Sequence, residues 1–154
     1  VAAAFNTLNR MVFQSARKRL LTTLCYAVID PVRREMQFAS AGHLFPYRVT
    51  KLGKVEVLES VAYPLGVREM LEIEPHAAKL EAGDLIFLCS DGVVEARREN
   101  SDESFGFERL ERTLSSLAGH GATVVRDKLL ATLETFTGGA EREDDLTVLV
   151  LKMP

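Results

Sequence analysis

Two apolar runs, each with carboxylates at its mouth, set the strongest constraint on what this chain can fold into. Leu85 to Cys89 runs into Ser90-Asp91-Gly92, and Asp144-Asp145 opens the run Leu146 to Leu151. Runs this short and this apolar, bounded by turn residues, read as strands. The second is apolar on both sides, which predicts a central strand covered on both faces. An Asp-Gly at a strand end presents a carboxylate where the backbone turns sharply, and an acidic pair at another strand's mouth presents a second. Two carboxylates with no Cys or His beside them suit a hard cation such as Mg²⁺ or Mn²⁺, which takes oxygen ligands and keeps several waters. Taken singly, each feature has a plainer reading: Asp-Gly is most often a turn, and Asp144-Asp145 a solvated charge cluster.

A chain of 154 residues is long enough to bury a core as one domain without disulfide staples, and its 47% hydrophobic and 27% charged residues are ordinary for a globular protein. A formal charge of -3 and a pI of about 5.7 provide no basic field for nucleic acid. No stretch reaches the ~18 apolar residues of a membrane span, and no secretory leader is visible. Cys25 and Cys89 lie inside apolar runs, where thiols act as small hydrophobes, and the expected compartment is the cytoplasm. Val1 is not an initiator Met and enters a helical pattern with no capping residue before it, so the chain is expected to begin inside a larger domain.

Val1, Phe5, Leu8 and Val12 recur at steps of three and four and predict an amphipathic helix, ended by Arg17-Lys18-Arg19. Strands are expected at Thr22 to Asp30, Glu35 to Ala41, Phe45 to Thr50, Val55 to Ser60 and Glu72 to Leu80, in a mostly antiparallel meander with a turn at Asp30-Pro31. Two helices follow, with faces at Phe107, Leu110, Leu114 and Leu117 and at Ala122, Val125, Leu129, Leu133 and Phe136. Gly119 and Gly138-Gly139 are natural stops. Helix, strands, two helices and a last strand make an α+β chain, two sheets with flanking helices.

Five motifs stand in one order along this framework: Ser40-Ala41-Gly42-His43, Pro64-Leu65-Gly66, Ser90-Asp91-Gly92-Val93-Val94-Glu95-Ala96, Phe105-Gly106-Phe107-Glu108-Arg109-Leu110 and Glu143-Asp144-Asp145-Leu146-Thr147. In order and spacing they resemble the SpoIIE-like serine phosphatases, the bacterial branch of the metal-dependent (PPM) protein phosphatases, from about Val1 to Lys152. The resemblance implies a four-layer α-β-β-α sandwich with a two-metal Mn²⁺ or Mg²⁺ centre that hydrolyses phosphoserine or phosphothreonine on a protein. It implies Asp91 and Asp144 as metal ligands. Metal ions suit this reaction because they lower the pKa of bound water to give hydroxide near neutral pH and, as a pair ~4 Å apart, offset charge on the phosphoryl oxygens. No covalent protein nucleophile is needed. Gly92 would let the backbone turn close behind the carboxylate, Thr147 would fix carboxylate rotamers by hydrogen bonding within the loop, and Asp145 would serve as an outer-sphere carboxylate.

His43 is a candidate accessory proton donor, set against a simpler reading in which the Gly42-His43 turn shapes the site floor. Arg97 and Arg98, like Glu95, read as solvated charge before they read as phosphopeptide contacts, and Gly66 serves its turn. Gly119-His120-Gly121 resembles the tail of the family's Asp-x-x-Gly-His-Gly motif, whose Asp bridges both metals. Ser116 stands where that Asp belongs, so the triplet is read as a helix C-cap and loop. The true motif is expected before Val1, which makes residues 1–154 the C-terminal two thirds or so of a single phosphatase domain, holding one ion or none and inactive alone. The resemblance further implies a phosphorylated STAS-domain anti-sigma-factor antagonist as substrate and an upstream sensor domain. Exposed sheet edges would favour a homodimer. The competing class is a non-catalytic phosphatase-like interaction module in a signalling protein.

Overall fold

The computed structural model describes residues 1–15, 21–140 and 144–154, so Arg17-Lys18-Arg19 and Glu143 lie outside the described residues. The chain is α+β, with two antiparallel sheets and three α-helices divided between two compact units. None of the helices is long and apolar enough to cross a membrane, among the described residues.

The first unit comprises Val1–Phe45 and Leu58–Leu80. It holds α1 (Ala2–Ser15) and a three-stranded sheet in the order β1 (Leu24–Asp30), β2 (Glu35–Ala41), β5 (His76–Lys79). β1 and β2 form a hairpin in register from Leu24 opposite Ala41 to Asp30 opposite Glu35. Its turn is held by Asp30, whose Oδ1 accepts the N–H groups of Val32 and Arg33, each at 2.9 Å, a side chain mimicking a backbone turn as Asp does. Phe5 is fully buried with Ala39, Ala41, Leu65 and Leu71, while Val1, Val12, Leu24 and Ile73 pack around them. That places Phe5 where truncation to Ala typically costs ~3–5 kcal/mol. The helix face differs from the expected stripe at one position: Leu8 is exposed and Asn9 is buried instead. The cause is polar. Asn9 Oδ1 accepts Gly66 N–H at 2.9 Å and its Nδ2 donates to the carbonyls of Arg68 and Glu69, which fixes the Pro64-Leu65-Gly66 turn to α1.

The second unit comprises Pro46–Val57 and Glu81–Pro154. Its sheet runs β4 (Val55–Val57), β3 (Tyr47–Val49), β6 (Leu85–Cys89), β7 (Val148–Lys152), with α2 (Gly106–Ser116) and α3 (Ala122–Thr137) between the last two strands in sequence. α3 lies against β7, and α2 against α3 and β4. β6 is the buried spine, with Leu85, Ile86 and Phe87 almost wholly covered. The only buried carboxylate, among the described residues, is Asp84 at the entrance to β6. Its Oδ2 accepts Arg48 Nε at 2.7 Å and Glu81 N–H at 2.9 Å, closing the tight turn into the strand.

Several expectations change. The strands do not form one meander, because the β3–β4 hairpin inserts between β2 and β5 and belongs to the other sheet. The segments expected from Phe45 and Glu72 start later, at Tyr47 and His76, each directly after a proline, Pro46 and Pro75, that has no N–H for a ladder. Finally, β7 is an edge strand among the described residues, paired only with β6 and with Leu149 52% exposed, rather than a central strand covered on both faces. In α2 the buried face is Leu110, Leu114 and Leu117. Phe107 is exposed, and Phe105, just before the helix, takes the buried place edge-on to Phe136.

Candidate metal centre

β6 and β7 are antiparallel neighbours, with Cys89 opposite Val148, so the residues after Cys89 and those before Val148 emerge at the same end of the sheet. Ser90 ties the two emerging segments together. Its hydroxyl donates to the Asp145 carbonyl at 2.8 Å and accepts Thr147 N–H at 2.9 Å, while Ser90 N–H donates to the Thr147 carbonyl at 3.1 Å. The chain then turns through a single 3-10 turn, Asp91–Val93. Gly92 is required there by contact: a Cβ on it would stand 2.6 Å from the Asp145 carbonyl oxygen and 3.1 Å from its carbon. Asp91 and the Asp144-Asp145 pair are therefore brought together by backbone approach.

All three carboxylates are exposed. Asp91 Oδ1 accepts Gly92 N–H at 3.1 Å and Asp144 Oδ1 accepts Asp145 N–H at 2.7 Å. Each side chain is thus oriented through one oxygen, and its other oxygen has no hydrogen bond among the described residues. Thr147 belongs to the clamp through its main chain, and its hydroxyl makes no hydrogen bond among the described residues. The donor set fits a hard cation. Cys89, two residues before Asp91, does not compete as a soft ligand, since burial and then the Asp91 charge push its thiol up to about 12, leaving it protonated at neutral pH. Two carboxylates satisfy only part of such an ion's coordination, and no cluster of three or more His, Cys, Asp or Glu side chains suited to a metal occurs among the described residues. Asp144 and Gly92 also line a cleft of about 470 Å³ that extends to α3.

Gly42 and His43 lie in the first unit, whereas Asp91, Asp144, Asp145 and Thr147 lie in the second. Gly42 ends β2 at φ +69°, and a Cβ there would meet Pro64 Cγ at 2.5 Å, so the Gly42-His43 and Pro64-Leu65-Gly66 motifs pack directly on each other. His43 is half-buried, and its Nδ1 donates to the Leu44 carbonyl at 3.0 Å. A carbonyl can only accept, so this tautomer leaves Nε2 as the ring's proton acceptor. Gly119-His120-Gly121 sits between α2 and α3 as expected of a cap and loop: Lys152 Nζ donates to the carbonyls of Gly119 and His120. The residue that sequence reasoning passed over is Ser90, and its one signal was its place directly before the Asp-Gly.

Comparison with known proteins places the chain in a family. The family model described as stage II sporulation protein E (SpoIIE) matches residues 1–154. The phosphoserine phosphatase RsbU of Bacillus subtilis is 32% identical over 148 residues, covering 94% of this chain and 43% of RsbU. The chain thus spans less than half the length of that relative. Among solved structures, the SiaA-PP2C domain of Pseudomonas aeruginosa superposes with a TM-score of 0.74 at 18% identity, over 99% of this chain and 70% of that one. The phosphatase domain of SpoIIE from Bacillus subtilis, presoaked with Mn, gives 0.69 at 20% identity, over 99% and 66%. At these identities the two structures establish a shared PP2C-type fold.

Proposed function

Because this chain belongs to the SpoIIE family, we propose that it forms part of a metal-dependent protein phosphatase domain that removes phosphate from phosphoserine or phosphothreonine on a protein. The observation that carries the reading is the clamp of Ser90 and Gly92, which holds two separately encoded acidic segments against each other. In this reading Asp91 and Asp144 would hold Mn²⁺ or Mg²⁺, with Asp145 as an outer-sphere acceptor. When bound, such ions acidify coordinated water toward neutral pH and offset phosphoryl charge. Gly92 allows the two acidic segments to approach through their backbones.

RsbU's description as a phosphoserine phosphatase supports this substrate class, and the Mn presoak of the SpoIIE domain makes Mn²⁺ the first ion to test. The substrate in this reading is a phosphorylated STAS-domain anti-sigma-factor antagonist in the cytoplasm, with a sensor domain upstream in the full-length protein. The test is phosphate release from a phosphoserine-bearing STAS protein by the full-length protein with Mn²⁺. Activity that falls at least a hundredfold in Asp91→Asn and Asp144→Asn, with circular dichroism unchanged, is expected. Undiminished release by both variants would sink the assignment.

A further inference from the structure

The cleft beside Asp144 has a lining that the phosphatase reading does not use. Its floor is aliphatic, from Ala96, Leu130, Leu133 and Leu146, and its volume of about 470 Å³ falls in the ~300–1,000 Å³ range of ligand clefts. Its rim is acidic. Glu95, Asp102, Glu134 and Asp144 line it, with Arg97 the one cationic side chain in the lining among the described residues, 3.9 Å from Asp102. Glu95 and Glu134 are exposed and have no cation partner among the described residues. An apolar floor beneath exposed carboxylates matches one kind of occupant well: an extended side chain with a methylene stem and a cationic head, which buries the stem and keeps its charge at the rim.

We propose that this cleft receives a Lys or Arg side chain of the phosphoprotein substrate, close in sequence to the phosphoserine, and so sets which phosphoserine is hydrolysed. The proposal rests on the phosphatase reading. Its electrostatics are bipolar: the phosphate would be drawn to cations held by Asp91 and Asp144, while the carboxylates of Glu95 and Glu134 repel an acidic flank and attract a basic one. Both carboxylates lie near solvent, so each contributes a modest, salt-screened preference. Like charges at such a rim also reject the wrong partner, which is where complementary charge contributes most to specificity.

The test compares two phosphoserine peptides, identical except for Lys against Glu at the flanking positions, with the full-length protein and Mn²⁺, and uses p-nitrophenyl phosphate as a small substrate with no flanking side chain to place in the cleft. The expected result is a kcat/KM about tenfold higher for the Lys peptide at low salt, shrinking at 0.5 M salt. Glu134→Gln should reduce the ratio roughly threefold, and Glu134→Lys should bring it to unity or below, with p-nitrophenyl phosphate turnover unchanged in both. Equal kcat/KM for the two peptides, or a ratio untouched by Glu134→Lys, overturns the cleft assignment while the phosphatase reading stands. No hydrolysis of p-nitrophenyl phosphate or either peptide overturns both.

Discussion

Replacing Gly92 by Ala tests whether backbone proximity holds the two acidic segments together. The added methyl would lie 2.6 Å from the Asp145 carbonyl oxygen, 3.1 Å from its carbon and 3.5 Å from the Asp144 oxygen. The obstacles are backbone atoms, so no side chain can swing aside. Ordinary contact, at 3.4 Å or more, requires the segments to separate by about 0.8 Å from the 2.6 Å approach, which strains the Ser90 Oγ bonds to Asp145 O and Thr147 N at 2.8 and 2.9 Å. Overpacking of this kind costs ~1–3 kcal/mol, and the stiffer unfolded chain of Ala returns ~0.4–1 kcal/mol, for a net loss of about 1–2 kcal/mol. In a chain of this size that lowers Tm by roughly 2–8 °C. Because the displaced atoms carry Asp144 and Asp145, Mn²⁺ affinity should fall about tenfold as well, as when supporting groups of a metal site are lost. Thermal denaturation by circular dichroism and Mn²⁺ calorimetry read the two effects. A Tm within 1 °C of wild type together with unchanged affinity would refute the reasoning.

Asp84→Ala removes the partner of Arg48, whose side chain is 17% exposed and retains Glu56 at 3.3 Å. A loss of ~3 kcal/mol, the low end for breaking a buried pair, should appear in urea unfolding, and a loss below 1 kcal/mol would contradict the account of that turn. Asn9→Ala strips three hydrogen bonds, one from Gly66 N–H and two to the carbonyls of Arg68 and Glu69, and leaves Gly66 N–H buried without its acceptor. It should cost ~2–3 kcal/mol, and Asn9→Leu, though apolar, should not restore it. Burial pushes Cys25 up to about 11, and burial followed by the charges of Cys89 and Glu111 pushes Tyr47 up to about 12. Both acids are raised in the folded state, so their contribution is complete below pH ~9 and is lost as pH climbs toward 12. Urea midpoints should hold steady from pH 7 to 8.5 and drop by pH 11. A flat profile would show the two groups to be solvated.

Much of this architecture was legible because its strongest elements are simple. β2 and β6 fall at the residues expected, since each is a compact apolar or β-forming run ended by a glycine or Asp-Gly turn. The class and the proximity of Asp91 to Asp144-Asp145 were legible for the same reason, through residues that punctuate strands. What escaped the sequence were matters of partnership. A run such as Leu146 to Leu151 has the same composition in a central strand as at an edge, so β7's place could not be read from it. Strands after Pro46 and Pro75 were drawn too long because β-propensity counts side chains and overlooks the missing donor. Asn9 sits on the apolar face of α1 for a polar reason, three backbone partners nearly sixty residues away, which helical periodicity does not encode. Ser90 stood in a quoted motif, yet its role as the bolt between two segments depends on the β6–β7 register.

Calorimetric titration of the full-length protein with Mn²⁺, beside Asp91→Asn and Asp144→Asn, measures the central claim most directly. If these two carboxylates share a cation, each substitution weakens Mn²⁺ binding at least tenfold, and the double variant is little worse than either single one because both act on one ion. Affinity unchanged in both single variants would contradict the account.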